Sequence, residues 1–389
     1  MYTAERQVAL PYLKCVAGPL IEQWFLLHHR IVRVVSNHAL LADAVRSYFY
    51  YADLLAEYTY DSPIQLPSAI PEELLWQAGE RLYRPVALTC YLFAARPSET
   101  FLPSSIEAIP DSVEWEAISG VEGPLCARWK NDHLRFRAYQ AFPGVTSRIL
   151  SVLHRKDLYA SIFIERVEQC AAWFVMRFVF YMVVGAMFGY DGYEIVHAAA
   201  VAHSGAGALI VGSPGSGKST LVLSCLHIAM QHLADDVLFL AKDDGQIHAY
   251  AFPEDIGVRQ GSLPLLAGHH CMRNLAVDER SKRYVDVQQF FRQQVICSAP
   301  VRALLFVQAH DRCERFRAEP LTPAQAVSWL MQEYISYERA LDDDVEDTFQ
   351  LFNDMALQAP AYRLYLTPDV QENALQVRAL VTNLAKCYK

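Results

Sequence analysis

The chain has 389 residues, of which 53% are hydrophobic and 20% charged, and its formal net charge is -9. This composition excludes a collagen-like or mainly disordered protein, and the length favours two domains. The acidic balance argues against a broad nucleic-acid-binding surface. The nine cysteines are scattered and form no C-x-x-C pair. That pattern argues against a disulfide framework or a zinc site, and it favours a cytoplasmic protein.

The first 190 residues are predicted to form a mixed α+β domain. Alternation of apolar and polar side chains predicts strands over residues 24–35 and 134–142. Apolar residues at helical spacing predict a helix from His38 to Tyr50. No motif in this half of the chain indicates a reaction.

An apolar segment from Cys170 to Tyr190 is nearly long enough to span a bilayer. It carries Arg177 near its middle, and a central arginine disfavours membrane insertion by about 2.5–3.5 kcal/mol. Apolar residues upstream, among them Ile162 and Phe174, continue the helical spacing. We therefore predict no membrane span and expect one long, mostly buried helix over residues 158–188.

Residues 191–389 are predicted to form a separate α/β domain, because the composition of the chain changes at Gly189–Gly192. In chain order, the apolar patterns predict strands over 195–203, 207–211, 237–240, 301–308 and 362–366, and helices over 219–232, 322–335 and 370–384. Strands that alternate with helices in this way are typical of an α/β fold.

Residues 212–219 read Gly-Ser-Pro-Gly-Ser-Gly-Lys-Ser and match the phosphate-binding pattern G-x-x-x-x-G-K-[ST] in full. A predicted strand leads into this loop and a predicted helix leads out. Glycines let backbone N–H groups approach phosphate oxygens, the lysine reaches the β- and γ-phosphates, and the serine hydroxyl binds Mg²⁺. ATP and Mg²⁺ are therefore predicted to bind at Gly212, Ser213, Pro214, Gly215, Ser216, Gly217, Lys218, Ser219 and Thr220.

Asp235 and Asp236 are the best acidic candidates near this loop, although they precede a predicted strand rather than end one. The later strand over residues 301–308 meets an acid only at Asp311. One carboxylate of the pair could coordinate Mg²⁺, and the other could accept a proton from an attacking hydroxyl. The spacing alone fits a solvated turn between a helix and a strand equally well.

The stretch from His197 through the loop to Asp236 resembles the bacterial HPr kinase/phosphorylase family and its HPr-kinase-related relatives. That family has a histidine on the strand before the phosphate-binding loop and an Asp-Asp pair after the helix that follows it. The resemblance is specific over residues 195–240, weaker over 241–389 and faint over 1–190. For the second domain it implies an α/β P-loop kinase core of the HPr kinase/phosphoenolpyruvate carboxykinase type.

The resemblance also implies roles for individual residues. Asp236 is the implied base that activates a serine hydroxyl, and Asp235 is its metal- or substrate-side partner. His197 would lie near both carboxylates and orient them, whereas a histidine on an apolar strand is otherwise most often a core residue. Lys218 would act on the transferred phosphate, and Ser219 with Asp235 would hold Mg²⁺.

The sequence departs from the family after the acid pair. The bifunctional enzymes carry an Arg-Gly-x-Gly segment there, whereas residues 253–261 keep an acid and Arg259 in a different order. The resemblance therefore does not extend to phosphorylase activity or to HPr as the substrate. Arg259 is expected either to contact a phosphate or to lie in a surface turn. Residues Arg280–Arg283 are expected to form a basic lid or a solvated loop, and the acidic run Asp342–Asp347 a solvated loop.

Together these features predict an ATP-dependent kinase that transfers the γ-phosphate to a hydroxyl, with a serine of a protein or peptide as the leading acceptor. The alternatives are a small-molecule hydroxyl such as free serine, and a nucleotide-responsive binding or assembly module with little catalysis. The first half is larger than nucleotide binding needs, so we expect it to hold the acceptor or a partner. A homo-oligomer is left open, and neither nucleic acid nor membrane is an expected partner.

Overall fold

The chain divides into two compact units, Met1–Asp191 and Gly192–Lys389, called here the N-terminal and the C-terminal unit. The computed structural model describes residues 19–61, 70–78, 87–94, 115–116, 126–130, 134–139, 149–154, 159–164, 166–170, 175–252, 255–266, 271, 282–338 and 345–387. Each unit is built on its own mixed sheet, so both combine helices with strands. Within these described residues, no helix is long and apolar enough to cross a membrane.

The N-terminal unit is organised around one mixed sheet. Its strands are β1 (Leu20–Leu27), β2 (Arg30–Ser36), β3 (Asp53–Tyr60), β4 (Ala87–Ala94), β5 (Trp115–Glu116), β6 (Cys126–Lys130), β7 (Leu134–Tyr139), β8 (Ile149–His154) and β9 (Tyr159–Ile164). They lie in the order β3-β1-β2-β4-β9-β8-β7-β6-β5. The β2–β4 and β4–β9 pairs are parallel. The helices are α1 (Ala39–Tyr48), α2 (Glu72–Ala78) and α3 (Tyr181–Tyr190).

Two sequence predictions for this unit are wrong. The strand expected over residues 24–35 is a hairpin, because His28 and His29 both adopt positive φ, 49° and 60°, and turn the chain between β1 and β2. Both central residues of a type I′ turn need positive φ, which Asn-Gly normally supplies, so two histidines gave no turn signal.

The α1 helix confirms the helix expected from His38 to Tyr50.

The long helix expected over residues 158–188 is also wrong in its first part. Residues Tyr159–Ile164 form β9, Val167–Gln169 form a 3₁₀ turn, and Val175–Phe180 form a π-helical segment that leads into α3. β9 lies inside the sheet between β4 and β8, and every one of its residues is buried, so both of its faces are covered. A strand that is buried on both faces shows no period-2 alternation, so periodicity could not separate it from a buried helix.

The C-terminal unit places a mixed sheet between two layers of helices. Its strands are β10 (Glu194–Val196), β11 (Ala199–His203), β12 (Ala206–Val211), β13 (Gln231–Ala234), β14 (Leu238–Asp243), β15 (Gln246–Tyr250), β16 (Ile256–Arg259), β17 (Lys282–Val285), β18 (Ser298–Arg312), β19 (Arg317–Leu321) and β20 (Ala361–Leu366). Its helices are α4 (Lys218–His227), α5 (Val287–Phe291), α6 (Pro323–Glu338), α7 (Val345–Gln358) and α8 (Val370–Cys387). Strands β16 and β17 form a separate two-stranded ribbon.

The main sheet of this unit runs in the order β10-β14-β15-β18-β12-β11-β13, and β20 pairs with both β18 and β19. Alternate residues of β12 face opposite cores: Ala208 and Ile210 pack in the layer with α4 and α8, whereas Leu209 and Val211 pack in the layer with α6 and α7. Burial of both faces explains why β12 reads as a continuous apolar run.

Strand direction decides which residues meet at one edge of this sheet. β18 is parallel to β12, and β20 is parallel to β18. β13 and β12 are both antiparallel to β11, so they also point the same way. β12, β13 and β20 therefore end at a common edge, called here the loop edge because the Gly212–Gly217 segment follows β12 there.

Helix α4 ends at His227, five residues before the predicted end at His232. Ala229 adopts a φ of 62°, its N–H donates to the Leu226 carbonyl at 3.0 Å, and the Met230 N–H donates to the Cys225 carbonyl at 3.1 Å. These two hydrogen bonds form a Schellman ending, whose left-handed position is usually glycine. Because alanine occupies it, the sequence carries no recognisable stop signal, and residues 231–234 are free to form β13.

An Ala229→Gly variant is expected to be more stable, by about 1 kcal/mol in free energy of unfolding, because glycine adopts the left-handed conformation without the Cβ clash. Denaturant unfolding of the full chain measures this change. Ala324→Gly is the matched control, since Ala324 is exposed at helical φ in α6 and glycine there should lower stability. Destabilisation by Ala229→Gly would contradict the helix ending described above.

Candidate active site

The loop between β12 and α4 can only be built with glycine at several positions. A Cβ at Gly212 would lie 2.2 Å from the Val307 carbonyl oxygen of β18 and 2.7 Å from Ser216 Oγ. Gly215 and Gly217 have φ of +91° and +108°, which side chains rarely allow. The glycines of the motif therefore let the backbone pass against β18 and then turn into the N-terminus of α4, with its N–H groups free to meet an anion.

Lys218 is buried, with 6% of its surface exposed, and its ammonium group donates to the Gly212 carbonyl at the start of the loop. Burial lowers the pKa of Lys218, and the carboxylates of Asp236, Glu333 and Asp235 act in the opposite direction. The Lys218 ammonium group therefore lies over its own loop and close to acidic side chains. Phosphate oxygens bound in this loop would become its partners.

The acid pair lies in the bend between β13 and β14, so a strand precedes it and not the helix that the sequence predicted there. Asp235 is 5% exposed, and the Ser219 side chain and the Gly257 backbone lie close enough to its carboxylate to lower its pKa. Burial, and then the neighbouring Asp236 charge, outweigh them and raise the pKa of Asp235 to about 7. A buried carboxylate beside the hydroxyl of the phosphate loop is the arrangement from which P-loop proteins hold Mg²⁺.

Asp236 contacts His197, the histidine that was expected to lie near the acid pair. Its Oδ1 lies 2.8 Å from His197 Nε2, and its side chain is 45% exposed while that of His197 is 9% exposed. An ionised carboxylate only accepts hydrogen bonds, so Nε2 carries the proton in this contact. His197 interrupts the strand predicted over 195–203, between β10 and β11, and β11 begins opposite the end of β12. The histidine therefore orients an accessible carboxylate at the loop edge.

The β16–β17 ribbon brings two groups to the same site. The Gly257 backbone lies beside the Asp235 carboxylate, and an Arg259 guanidinium nitrogen lies 3.2 Å from where a Cβ at Gly215 would be. Arg259 is exposed and lies against the phosphate loop, not in a surface turn away from it. Lys282 and Arg283 are part of β17, so this end of the predicted basic lid is a strand; Arg280 and Ser281 lie outside the described residues.

Other predicted residues fall in different places. Ser213 and Pro214 form the exposed tip of the loop, and Thr220 lies in the first turn of α4. In the acidic run 342–347, residues 342–344 lie outside the described part of the chain, and Val345 onward forms α7 instead of a loop. Sequence reasoning missed Glu333, whose charge acts on Lys218 from α6, and the backbone N–H of Gly257. No local sequence pattern marks either residue.

The residues present fit Mg²⁺ bound together with a nucleotide. Asp235 Oδ1 and Ser216 Oγ are buried and have no hydrogen-bond partner among the described residues. Such oxygens are costly to bury unless a ligand satisfies them. The same described residues contain no group of three or more His, Cys, Asp or Glu side chains arranged to hold a metal. Mg²⁺ in nucleotide-binding sites is typically held by one or two carboxylates and the substrate phosphates.

Comparison with known proteins adds little at the level of sequence: no family model matches the chain, and neither does any curated protein. Among solved structures, the HPr(Ser) kinase/phosphatase from Coxiella burnetii is similar with a TM-score of 0.29 and 17% identity, over 49% of this chain and 89% of that chain. The similarity is weak and concerns the fold alone.

Proposed function

We propose that this chain is an ATP-dependent kinase that transfers the γ-phosphate to a hydroxyl group, with a serine of a protein or peptide as the acceptor. The observation that carries the proposal is the contact between His197 and Asp236 beside a complete phosphate-binding loop. A nucleotide-binding module without catalysis has no need for an accessible carboxylate oriented in this way. The serine acceptor follows from the resemblance over residues 195–240.

The proposed reaction assigns each residue one task. The backbone N–H groups of residues 215–218 and the Lys218 ammonium hold the β- and γ-phosphates. Asp236 accepts the proton of the acceptor hydroxyl as the new oxygen–phosphorus bond forms and the bond to the ADP oxygen breaks. His197 donates to Oδ1 of Asp236 and orients this carboxylate toward the acceptor. Arg259 lies where it can pair with charge that builds on the transferred group.

Ser219 and Asp235 would hold Mg²⁺, which stabilises the negative charge of the phosphates when it is bound. The Ser219 side chain and Asp235 already lie next to each other. The Gly257 backbone lies beside the same carboxylate on the ribbon side. Both ligands would therefore be in place before the nucleotide arrives.

An Asp235→Asn variant is expected to need more Mg²⁺, by about 10-fold or more at half-maximal transfer, because the amide removes one negative charge from the ion's ligands. Titration of transfer rate against Mg²⁺ at saturating ATP measures the shift. Asp354→Asn is the control: this carboxylate pairs with Lys242 on the exposed surface of α7 and should leave the Mg²⁺ requirement unchanged. If Asp235→Asn needs no more Mg²⁺ than the unsubstituted chain for half-maximal transfer, Asp235 is not a ligand of the ion.

The acceptor is tested directly with γ-labelled ATP and Mg²⁺, offered with serine-containing peptides, free serine and a whole-cell lysate in parallel. We expect label in protein or peptide and ADP formation that depends on the acceptor. Label in free serine alone would make the chain a small-molecule kinase. Nucleotide binding with no acceptor-dependent ADP formation under any condition would leave the binding or assembly module as the better explanation.

A further inference from the structure

A row of stacked planar side chains lies at the loop edge, on β19, β20 and helix α6, which contain neither the motif nor the acid pair. Arg363 of β20 lies over the Trp329 ring with its Cζ 5.6 Å from the centroid and over the Tyr365 ring at 5.0 Å. Arg317 of β19 lies over Tyr365 at 4.1 Å. Trp329 in turn packs edge-on against Phe306 of β18. We call the row Trp329–Arg363–Tyr365–Arg317 the planar stack.

Polar contacts hold the planar stack in one conformation. Arg363 donates to Gln308 Oε1 at 3.2 Å, the Tyr365 hydroxyl donates to Glu319 Oε2 at 2.8 Å, and Arg317 lies 3.3 Å from Glu319 Oε1. The inner members are therefore fixed. The outer member, Arg317, keeps 58% of its side chain exposed, so the stack ends in an accessible guanidinium group.

The planar stack lies next to the phosphate loop, on the side of β12 opposite the acid pair. The sheet order puts β11 and β13, with Asp236, on one side of β12, and β18, β20 and β19 on the other. On the α6 face of the sheet, where Trp329 packs, Glu333 of the same helix acts on the charge of Lys218; on the other face, Leu366 comes within 3.9 Å of where a Cβ at Gly217 would be. Ligands of α/β sheets bind at the carboxyl ends of the parallel strands, which here include the ends of both β12 and β20.

We propose that the planar stack binds the base of the nucleotide, with a purine ring lying on the guanidinium plane of Arg317. This inference rests on the proposed kinase function. A nucleotide bound through its phosphates has its γ-phosphate directed to the acid pair, so its base extends from the other side of the loop. An aromatic base gains from stacking on an arginine plane without any hydrogen bond to its edge. The site should therefore accept ATP and GTP with similar affinity.

The test compares ATP with inorganic tripolyphosphate, which occupies the phosphate loop but has no base. We would measure the dissociation constants of both ligands in the presence of Mg²⁺ by calorimetry on the full chain. Arg317→Ala is expected to weaken ATP binding by about 5- to 100-fold, the range for loss of one base-stacking contact, and to change tripolyphosphate binding by only about 2- to 3-fold. Arg317→Lys keeps the positive charge but removes the planar guanidinium group. The affinity for ATP should therefore lie between those of the unsubstituted chain and Arg317→Ala, and the affinity for tripolyphosphate should be unchanged.

Arg302→Ala is the matched control, because Arg302 contacts Gln246 near the other end of β18 and should alter neither ligand. If both Arg317 variants bind tripolyphosphate and keep the ratio of the two dissociation constants found for the unsubstituted chain, the proposed base site is wrong. The kinase proposal would stand in that case. A rise in the acceptor KM with that ratio unchanged would overturn the base site too, and would assign the stack to the acceptor. Failure of the unsubstituted chain to bind either ligand would overturn the kinase proposal as well.

Discussion

The Lys218→Ala variant is expected to lose phosphate transfer, with turnover reduced by about 10³-fold or more. Lys218 is the charged group of the phosphate loop, and its ammonium is held against the loop by the Gly212 carbonyl. Its buried position means that no solvent cation can take over the same geometry at the β- and γ-phosphates. Single-turnover transfer from γ-labelled ATP measures the loss, and circular dichroism establishes that the variant is folded.

Lys242→Ala is the control for loss of a lysine, since Lys242 is half-exposed on β14 and pairs with Asp354 at 3.3 Å. An exposed pair of this kind contributes about 1 kcal/mol or less to stability, so both folding and transfer should persist. Normal turnover in a folded Lys218→Ala protein would show that the 212–219 loop does not hold the reacting phosphates.

The Asp236→Asn variant is expected to lose acceptor phosphorylation by about 10²–10⁴-fold, the usual contribution of a positioned general base. ATP affinity should stay within a few-fold, because the loop N–H groups and Lys218 hold the phosphates independently of this carboxylate. The amide can still accept from His197, so the local structure should be kept. Acceptor phosphorylation and ATP binding, measured on the same preparation, separate the two effects.

Asp243→Asn is the matched control, because Asp243 lies at the far end of β14, whose first residue comes two positions after Asp236. It should leave both readouts unchanged. His197→Ala should lower turnover less than Asp236→Asn, since it only releases the orientation of the base. If transfer survives in both Asp235→Asn and Asp236→Asn, the pair has a structural role and the proposed mechanism is wrong.

The phosphate loop could be predicted from sequence because all its requirements are local. Gly212, Lys218 and Ser219 lie within eight residues, and the flanking strand and helix are read from neighbouring apolar residues. Helix α1, strand β20 and helix α8 were recognised for the same reason: their own periodicity or composition marks them. When all the residues that define an element or a loop lie in one short segment, the sequence alone is enough to predict it.

The rest of the site depends on strand order, which no local pattern encodes. Asp236 meets His197, 39 residues earlier, only because β13 and β11 pair and the helix before β13 stops at an alanine in a left-handed conformation. Arg259 reaches the loop through a ribbon whose second strand begins at Lys282. Strand β9 was mistaken for helix because its burial comes from neighbours on both sides, which are distant in sequence.

Strand β11 connects the strand that leads into the phosphate-binding loop to the strand that leads into the acid pair. Its backbone ladders pair Ala200 with Leu209 of the loop strand on one side and with Ala234, just before the acid pair, on the other. Adjacent strands lie about 4.8 Å apart, so this single strand acts as a spacer of fixed width between the phosphate cradle and the carboxylates. β11 lies between β12 and the edge strand β13, and all its residues except His203 are buried, so it cannot leave the sheet without separating the loop from the acid pair. Heat or denaturant should therefore abolish catalysis together with the native structure of the C-terminal unit, with no partly unfolded state of that unit that retains activity.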